Sequence, residues 1–257
     1  METLYLIIFF ILGTLLASFF TVVGLRLPRK ENFITNHSYC DLCKHELKLY
    51  DMIPIISYMT LFGKCRYCHK RIDPLSTYME LFTGILFSLA YYIFGFSWEL
   101  AIALGIIAML IIISVSDLNY LIIPDEILIF FSGYFIICQI LNLGLRGAAI
   151  QILSGITLFS LMYLIMLLGN YILKKDSLGG GDIKMMFVFG LVLNPLLGVV
   201  VIFVGSVLAL PVSLILLKKK HENLIPFGPF LLIAFAFIYF TQLTGPMIFE
   251  FLRWKTF

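Results

Sequence analysis

The chain has 257 residues, 61% of them hydrophobic and 13% charged, with a net charge of +3 and a mean hydropathy of +1.03. Soluble domains average about 45–50% apolar and 25% charged residues, so these proportions exclude a soluble domain and predict an all-α polytopic membrane protein. The net charge by itself excludes little, because where the charges sit matters more than their sum.

In chain order, charge-free runs define the expected spans: Leu4–Leu25, Leu81–Trp98 with Glu80 at its edge, Leu100–Ser116, Ile127–Leu145 and Gly147–Leu173. Met185–Leu217 is too long for one span, at about 50 Å of helix against a hydrocarbon core of about 30 Å. Asn194-Pro195 offers the break, since proline ends or kinks a helix. Leu224–Phe249 is the last run. With that break the expected count is eight spans, the sixth short.

Basic residues set the expected orientation. With the N-terminus outside and eight spans, 15 of the 18 Lys and Arg fall in cytoplasmic loops, including Arg26, Arg29, Lys64, Lys174, Lys184 and Lys218–Lys220. Positive residues belong inside. Without the break, Lys218–Lys220 would fall on the wrong side. The first span follows Glu2 instead of a basic region and is longer than a signal-peptide core, so it reads as an anchor. The expected organisation is a first helix over 1–26, a cytoplasmic four-cysteine loop over 27–75 and a membrane core over 76–257. No tandem repeat is evident.

The loop holds Cys40-Asp41-Leu42-Cys43 and Cys65-Arg66-Tyr67-Cys68. Two C-x-x-C turns supply a tetrahedral four-thiolate set with zinc spacing. A reducing cytoplasm disfavours two disulfides there. Four thiolates close the coordination sphere, so the zinc is expected to be structural. His37, His45 and His69 are then solvated loop residues. Cys138 stands alone in an apolar run and reads as a small buried hydrophobe.

Asp117 ends one apolar run and Asp182 closes Gly179-Gly180-Gly181-Asp182 before another. Each has an ordinary reading: Asp182 as a helix N-cap, Asp117 as a polar residue in the headgroup zone. Together they stand out, because both fall at the cytoplasmic ends of their helices. An ionisable group at membrane depth is by default a functional-site hypothesis. Three glycines let backbone unwind or approach another chain closely, and a carboxylate pair can share a proton and activate water. Asp125 and Glu126 follow Ile123-Pro124 and read as an ordinary helix start. Lys184 either tunes the pair or snorkels to the interface. The glycine run lacks the following Lys-Ser/Thr of a nucleotide loop.

These residues resemble the bacterial prepilin peptidases, the type IV leader peptidase family. Ala17–Val23 with Arg26-Leu27-Pro28 looks like the family's first-span signature; Cys40/Cys43 and Cys65/Cys68 match its paired C-x-x-C loop. Asp117-Leu118 through Asp125 resembles its first aspartate motif, and Gly179–Lys184 matches G-x-G-D-x-K. The resemblance implies an intramembrane aspartyl endopeptidase in the bacterial cytoplasmic membrane. Asp117 and Asp182 would be its catalytic pair, with Gly179, Gly180, Gly181 and Lys184 shaping backbone and substrate. It implies prepilin or pseudopilin substrates, cut after glycine at the cytoplasmic face, with N-methylation of the new N-terminus from S-adenosylmethionine. The chain departs from the pattern at Thr21, where asparagine is usual, and at Leu75-Ser76-Thr77, where Arg-Tyr-Pro is usual. Membrane lipid is an expected partner and nucleic acid is not. Two other readings are weaker. A transporter should place acids near the midplane in an inverted repeat, and a non-catalytic zinc scaffold has no need of two acids at matched depth.

Overall fold

A computed structural model describes residues 1–32, 39–40, 43–72, 74–174, 179–218 and 226–243. Among these the chain is helical: α1 Glu2–Arg26, α2 Ile56–Thr60, α3 Leu75–Phe94, α4 Trp98–Tyr120, α5 Asp125–Leu173, α6 Gly180–Gly190, α7 Pro195–Lys218 and α8 Gly228–Phe240. Extended pairing is limited, among the described residues, to two isolated bridges, Tyr39–Glu46 and Lys64–Arg71. Five helices, α1, α3, α4, α5 and α7, are long and apolar enough to cross a membrane, so the chain is a multi-pass membrane protein. It divides into two compact units, Met1–Phe96 and Ser97–Phe257.

In the first unit α1 and α3 pack antiparallel. Small residues let them close on each other: a Cβ on Gly13 would lie 2.9 Å from the Gly84 Cα, and one on Gly84 would lie 2.7 Å from the Thr14 Cγ2. Such close crossings drive helix association where lipid removes the hydrophobic incentive. Towards the other end Phe9 stacks on Tyr91 at 4.8 Å, and the Ser88 hydroxyl donates to the Leu6 carbonyl at 2.9 Å. The helix α3 starts before its apolar run, so Glu80 is its sixth residue and is buried, not a residue at the head of the span.

In the second unit α4 is the central helix, 83% buried along its apolar window against 22% for α5 and α7. Its sequence is apolar on all sides, which suits a helix enclosed by others. At 49 residues α5 would run about 74 Å as one straight helix, but Gly144 breaks it with φ 73° and ψ 177°. The break falls one residue inside the end of the first of the two apolar runs read from the sequence, Ile127–Leu145, and just before Arg146. Cys138 is buried in α5 as expected.

The long run from Met185 divides where expected. Helix α6 has only 11 residues and ends at Gly190. Carbonyls of the non-helical residues that follow would be orphaned in an apolar setting, and α5 supplies donors. Gln139 Nε2 donates to the Leu191 carbonyl at 3.0 Å, and Ser154 Oγ to the Leu193 carbonyl at 2.7 Å. The Leu197 N–H then donates to Asn194 Oδ1 at 2.9 Å, capping α7 with Pro195 in its first turn. Close packing holds α6 on α5: a Cβ on Gly190 would lie 2.5 Å from the Gly155 Cα. Backbone cannot yield there as a side chain could. Gly190→Ala is therefore expected to destabilise the unit by about 1–3 kcal/mol, as overpacked cores do, and to lower its accumulation in membranes at unchanged expression. Wild-type accumulation and melting would show that α6 can shift freely.

Candidate active site and metal centre

The first unit carries the cysteines. Their four Sγ atoms lie within 4.8 Å of one another, with Cys65 and Cys40 buried, Cys68 half-buried and Cys43 exposed. The group includes no histidine among the described residues; His37 lies outside them. Two equivalent turns build it. The Cys40 N–H donates to the His45 carbonyl and the Lys44 N–H to the Cys40 carbonyl. The Cys65 N–H donates to the Lys70 carbonyl and the His69 N–H to the Cys65 carbonyl. Lys44 and His69 both adopt positive φ, 58° and 54°, and the bridges Tyr39–Glu46 and Lys64–Arg71 close each turn. Every partner in the second turn lies 25 residues after its counterpart. The backbone thus repeats, although little sequence beyond the cysteines does. Four thiols converging without a disulfide form a group that could hold a metal ion.

Asp51 braces the second turn. Its side chain, 3% exposed, accepts from Arg66 Nε at 2.7 Å, the Tyr67 hydroxyl at 3.1 Å and the Lys48 N–H at 3.3 Å. Burial pushes its carboxyl up, but the Arg66 and Tyr67 donors outweigh burial and hold it below the usual carboxylate range. A depressed acid contributes stability above its unfolded value and loses it as pH falls through the folded one. This brace therefore fails only below about pH 4. His45 packs on the Tyr67 ring at 3.7 Å, joining the two turns.

The second unit carries the aspartates. Asp117 lies in the last turn of α4, 5% exposed, and Asp182 in the first turn of α6, 8% exposed. Three local features bring them together. Leu121 takes a left-handed turn (φ 54°) after α4, and the Ser116 hydroxyl donates to the Ile122 carbonyl at 2.6 Å. That turn returns Ile123 to the site. A Cβ on Gly181 would lie 2.8 Å from the Ile123 Cβ, and one on Gly228 would lie 3.3 Å from its Cδ1 and 2.9 Å from Asp117 Oδ2. Ile123 thus wedges between the starts of α6 and α8, beside Asp117. The Gly228 N–H, at the first turn of α8, donates to Asp117 Oδ2 at 3.1 Å. The two carboxylates lie within electrostatic reach of each other. Asp182 Oδ1 is buried and, among the described residues, has no hydrogen-bond partner.

The glycine run does not unwind. Gly180 and Gly181 are the first helical residues of α6 and Gly179 its cap, so Asp182 is not the N-cap. Gly181 is needed for close approach to Ile123. A Cβ on Gly179 would lie 3.2 Å from Asp182 Oδ2, while one on Gly180 would meet nothing within 4 Å. Lys184 Nζ bonds both Asp125 oxygens, at 2.8 and 2.7 Å, with both side chains more than half exposed. The pair sits outside the dyad, at the edge of an apolar groove formed by α5 and α6.

Sequence reasoning missed Gly228, whose part depends on a contact 111 residues away. It missed the role of Glu80, which accepts the Ile55 N–H at 2.8 Å and holds a β-branched residue at φ 61°. The one charged residue in an otherwise uncharged helix was the available signal.

Fold and sites together define an all-helical membrane protein with paired buried carboxylates in one unit and a four-cysteine group that could hold a metal ion in the other. Family models agree with this division. One described as the bacterial peptidase A24 N-terminal domain matches residues 11–94, and one described as the type IV leader peptidase family matches residues 104–214. The chain belongs to the type IV leader peptidase family, and is an enzyme of that peptidase class. It is 35% identical over 193 residues to a protein of Bacillus subtilis, covering 73% of each chain. It is 27% identical to one of Vibrio cholerae, covering 94% of this chain and 98% of the relative. To one of Pseudomonas aeruginosa it is 28% identical, covering 87% and 86%. All three are named prepilin leader peptidase/N-methyltransferase. No solved structure matches.

Proposed function

We propose that this enzyme removes the leader of prepilins or pseudopilins by aspartyl hydrolysis, with Asp117 and Asp182 as the reacting pair. The observation that carries the reading is the buried Asp182 Oδ1, without a hydrogen-bond partner among the described residues, at a site where Ile123 packs against both Gly181 and the Gly228 that bonds Asp117. A buried acceptor without a donor is expensive, and a site that must present it to water or a peptide explains it. The α8 N-terminus and the Gly228 N–H stabilise charge on Asp117, which suits Asp117 as base and Asp182 as acid. Asp117 takes a proton from water while the water oxygen attacks the scissile carbonyl. Asp182 donates its proton to that carbonyl oxygen. The tetrahedral intermediate then collapses, with a proton passing to the departing amine. Such a pair titrates as a unit, so cleavage should follow a bell-shaped pH profile. The test is incubation of purified protein with a prepilin in detergent and sequencing of the product N-terminus. An intact leader under conditions where the protein is folded overturns the reading.

The charge distribution supports eight spans in the cytoplasmic membrane, the N-terminus outside and the site at the cytoplasmic face. Zinc is the proposed metal, with Cys40, Cys43, Cys65 and Cys68 as ligands, because four thiolates suit its tetrahedral preference. Metal analysis of purified protein is expected to find one zinc per chain, lost when all four cysteines become serine. Cleavage should then fall several-fold through loss of loop order, not of chemistry. Metal-free protein from an undamaged preparation would remove zinc from the proposal.

N-methylation of the new N-terminus is the second proposed activity, supported by the names of the relatives. Two adjoining cavities of about 190 and 230 Å³ in the first unit share Ser18, Leu47 and Ser76. Glu80 lines one, and Thr21, Arg26 and Arg29 line the other. This donor set fits S-adenosylmethionine: arginines suit its carboxylate, and a buried acid suits its ribose hydroxyls. Bound there, it would supply the electrophilic methyl group. S-adenosylhomocysteine is expected to bind the purified protein in calorimetry, and Ser76→Phe to abolish binding by filling the cavity. Asp117→Ala should still methylate pre-cleaved pilin. A mature product that never gains the methyl mass, together with absent binding, would leave only the peptidase.

A further inference from the structure

We propose that the exposed apolar face of α2, with the turn that follows it, is an anchor that lies in an anionic lipid leaflet. Ile53, Ile56, Met59 and Phe62 recur every third residue and are 43%, 59%, 67% and 88% exposed. None of the residues of α2 is buried, so the helix does not serve the protein core. Its backbone is nevertheless constrained. Ile55 before it and Phe62 after it both adopt positive φ, 61° and 50°, which bulky residues rarely do without support. The support at Ile55 is the buried Glu80 carboxylate. Glu80 lies about 7.5 Å along α3 from its start. The start of α2 is thereby pinned beside the end of a membrane-length helix, where an apolar face meets headgroups and upper acyl chains.

Charge selects the occupant. Between Met52 and Ile72 there are four basic residues and no acidic one. Arg66 is engaged by Asp51, while Lys64, Lys70 and Arg71 are exposed. The Lys64–Arg71 bridge and the Ile72 N–H bond to the Gly63 carbonyl set Arg71 beside the turn that carries Phe62. An apolar face flanked by cations is the pattern of an interfacial helix on acidic lipid.

The test uses the full chain with Phe62→Trp, and with its two native tryptophans removed as Trp98→Phe and Trp254→Phe. It is reconstituted in nanodiscs of phosphatidylcholine with phosphatidylglycerol, and fold is checked by gel filtration and melting. The expected result is strong quenching by lipids brominated near the headgroup and protection from aqueous iodide. Lys64→Gln, Lys70→Gln and Arg71→Gln together should reduce the lipid quenching at least about twofold. Full iodide access without lipid quenching overturns the anchor. Protection from both quenchers means that protein covers the face, and equally overturns it. Lipid quenching unchanged by the triple variant, and equal in phosphatidylcholine alone, overturns the requirement for acidic lipid.

Discussion

Asp117→Asn and Asp182→Asn are each expected to lower leader cleavage by at least about a thousandfold, at the upper part of the range for loss of a general acid or base. An amide keeps the size and much of the hydrogen bonding of the carboxylate but cannot cycle a proton. Both residues are buried, at 5% and 8% exposure, so neither loss can be made good by a solvated neighbour. The variants should accumulate and melt like the wild type, because the substitution removes charge without changing volume. Asp125→Asn is the matched control. It removes an acid two residues from Ile123 that is 58% exposed and engaged by Lys184. Exposed pairs are worth about 0–1 kcal/mol, so cleavage should stay within about threefold. If Asp125→Asn were as inactive as the other two, the partner of Asp182 would have been wrongly assigned. If either Asp117→Asn or Asp182→Asn cleaved at near-normal rate, that residue would leave the mechanism.

The features legible in the sequence were those carried by residue type at short range. Cys40, Cys43, Cys65 and Cys68 declare a converging four-thiol group through spacing alone, and Asn194-Pro195 declares a helix break through the chemistry of the two residues. Asp117 and Asp182 stand out because carboxylates are scarce among apolar runs. What was not legible depends on the far side of a contact. The glycine run invites a reading as flexible backbone, yet Gly181 is helical and serves to admit Ile123. Nothing local in α5 announces that Gln139 and Ser154 cap the carbonyls after α6. Glu80 looks like a residue at a span edge until α3 is seen to begin five residues earlier. The duplicated cysteine turn hides for a related reason: its repeat lies in backbone hydrogen bonds, which many sequences satisfy equally well.

Gly228→Ala is expected to separate chemistry from stability at the same site. Alanine is favoured over glycine within a helix by about 1 kcal/mol, and Gly228 is the first residue of α8 with ordinary helical geometry. Folding alone would therefore accept the change. The added Cβ, however, would lie 2.9 Å from Asp117 Oδ2 and 3.3 Å from the Ile123 Cδ1. Asp117 must turn or α8 must withdraw, and either movement lengthens the 3.1 Å bond from the Gly228 N–H. That bond orients the carboxylate and stabilises its charge. A misplacement of about 1 Å at a reacting group can cost about a hundredfold in rate, so kcat should fall by about that factor. KM should change little, because neither atom is assigned to substrate binding. Melting should stay near the wild-type value, in contrast to Gly190→Ala, where backbone meets backbone and accumulation falls instead. Equal loss of stability in both variants would mean that Gly228 only packs α8 against α4. Unchanged kcat in a folded Gly228→Ala protein would mean that Asp117 does not depend on its hydrogen bond for the reaction.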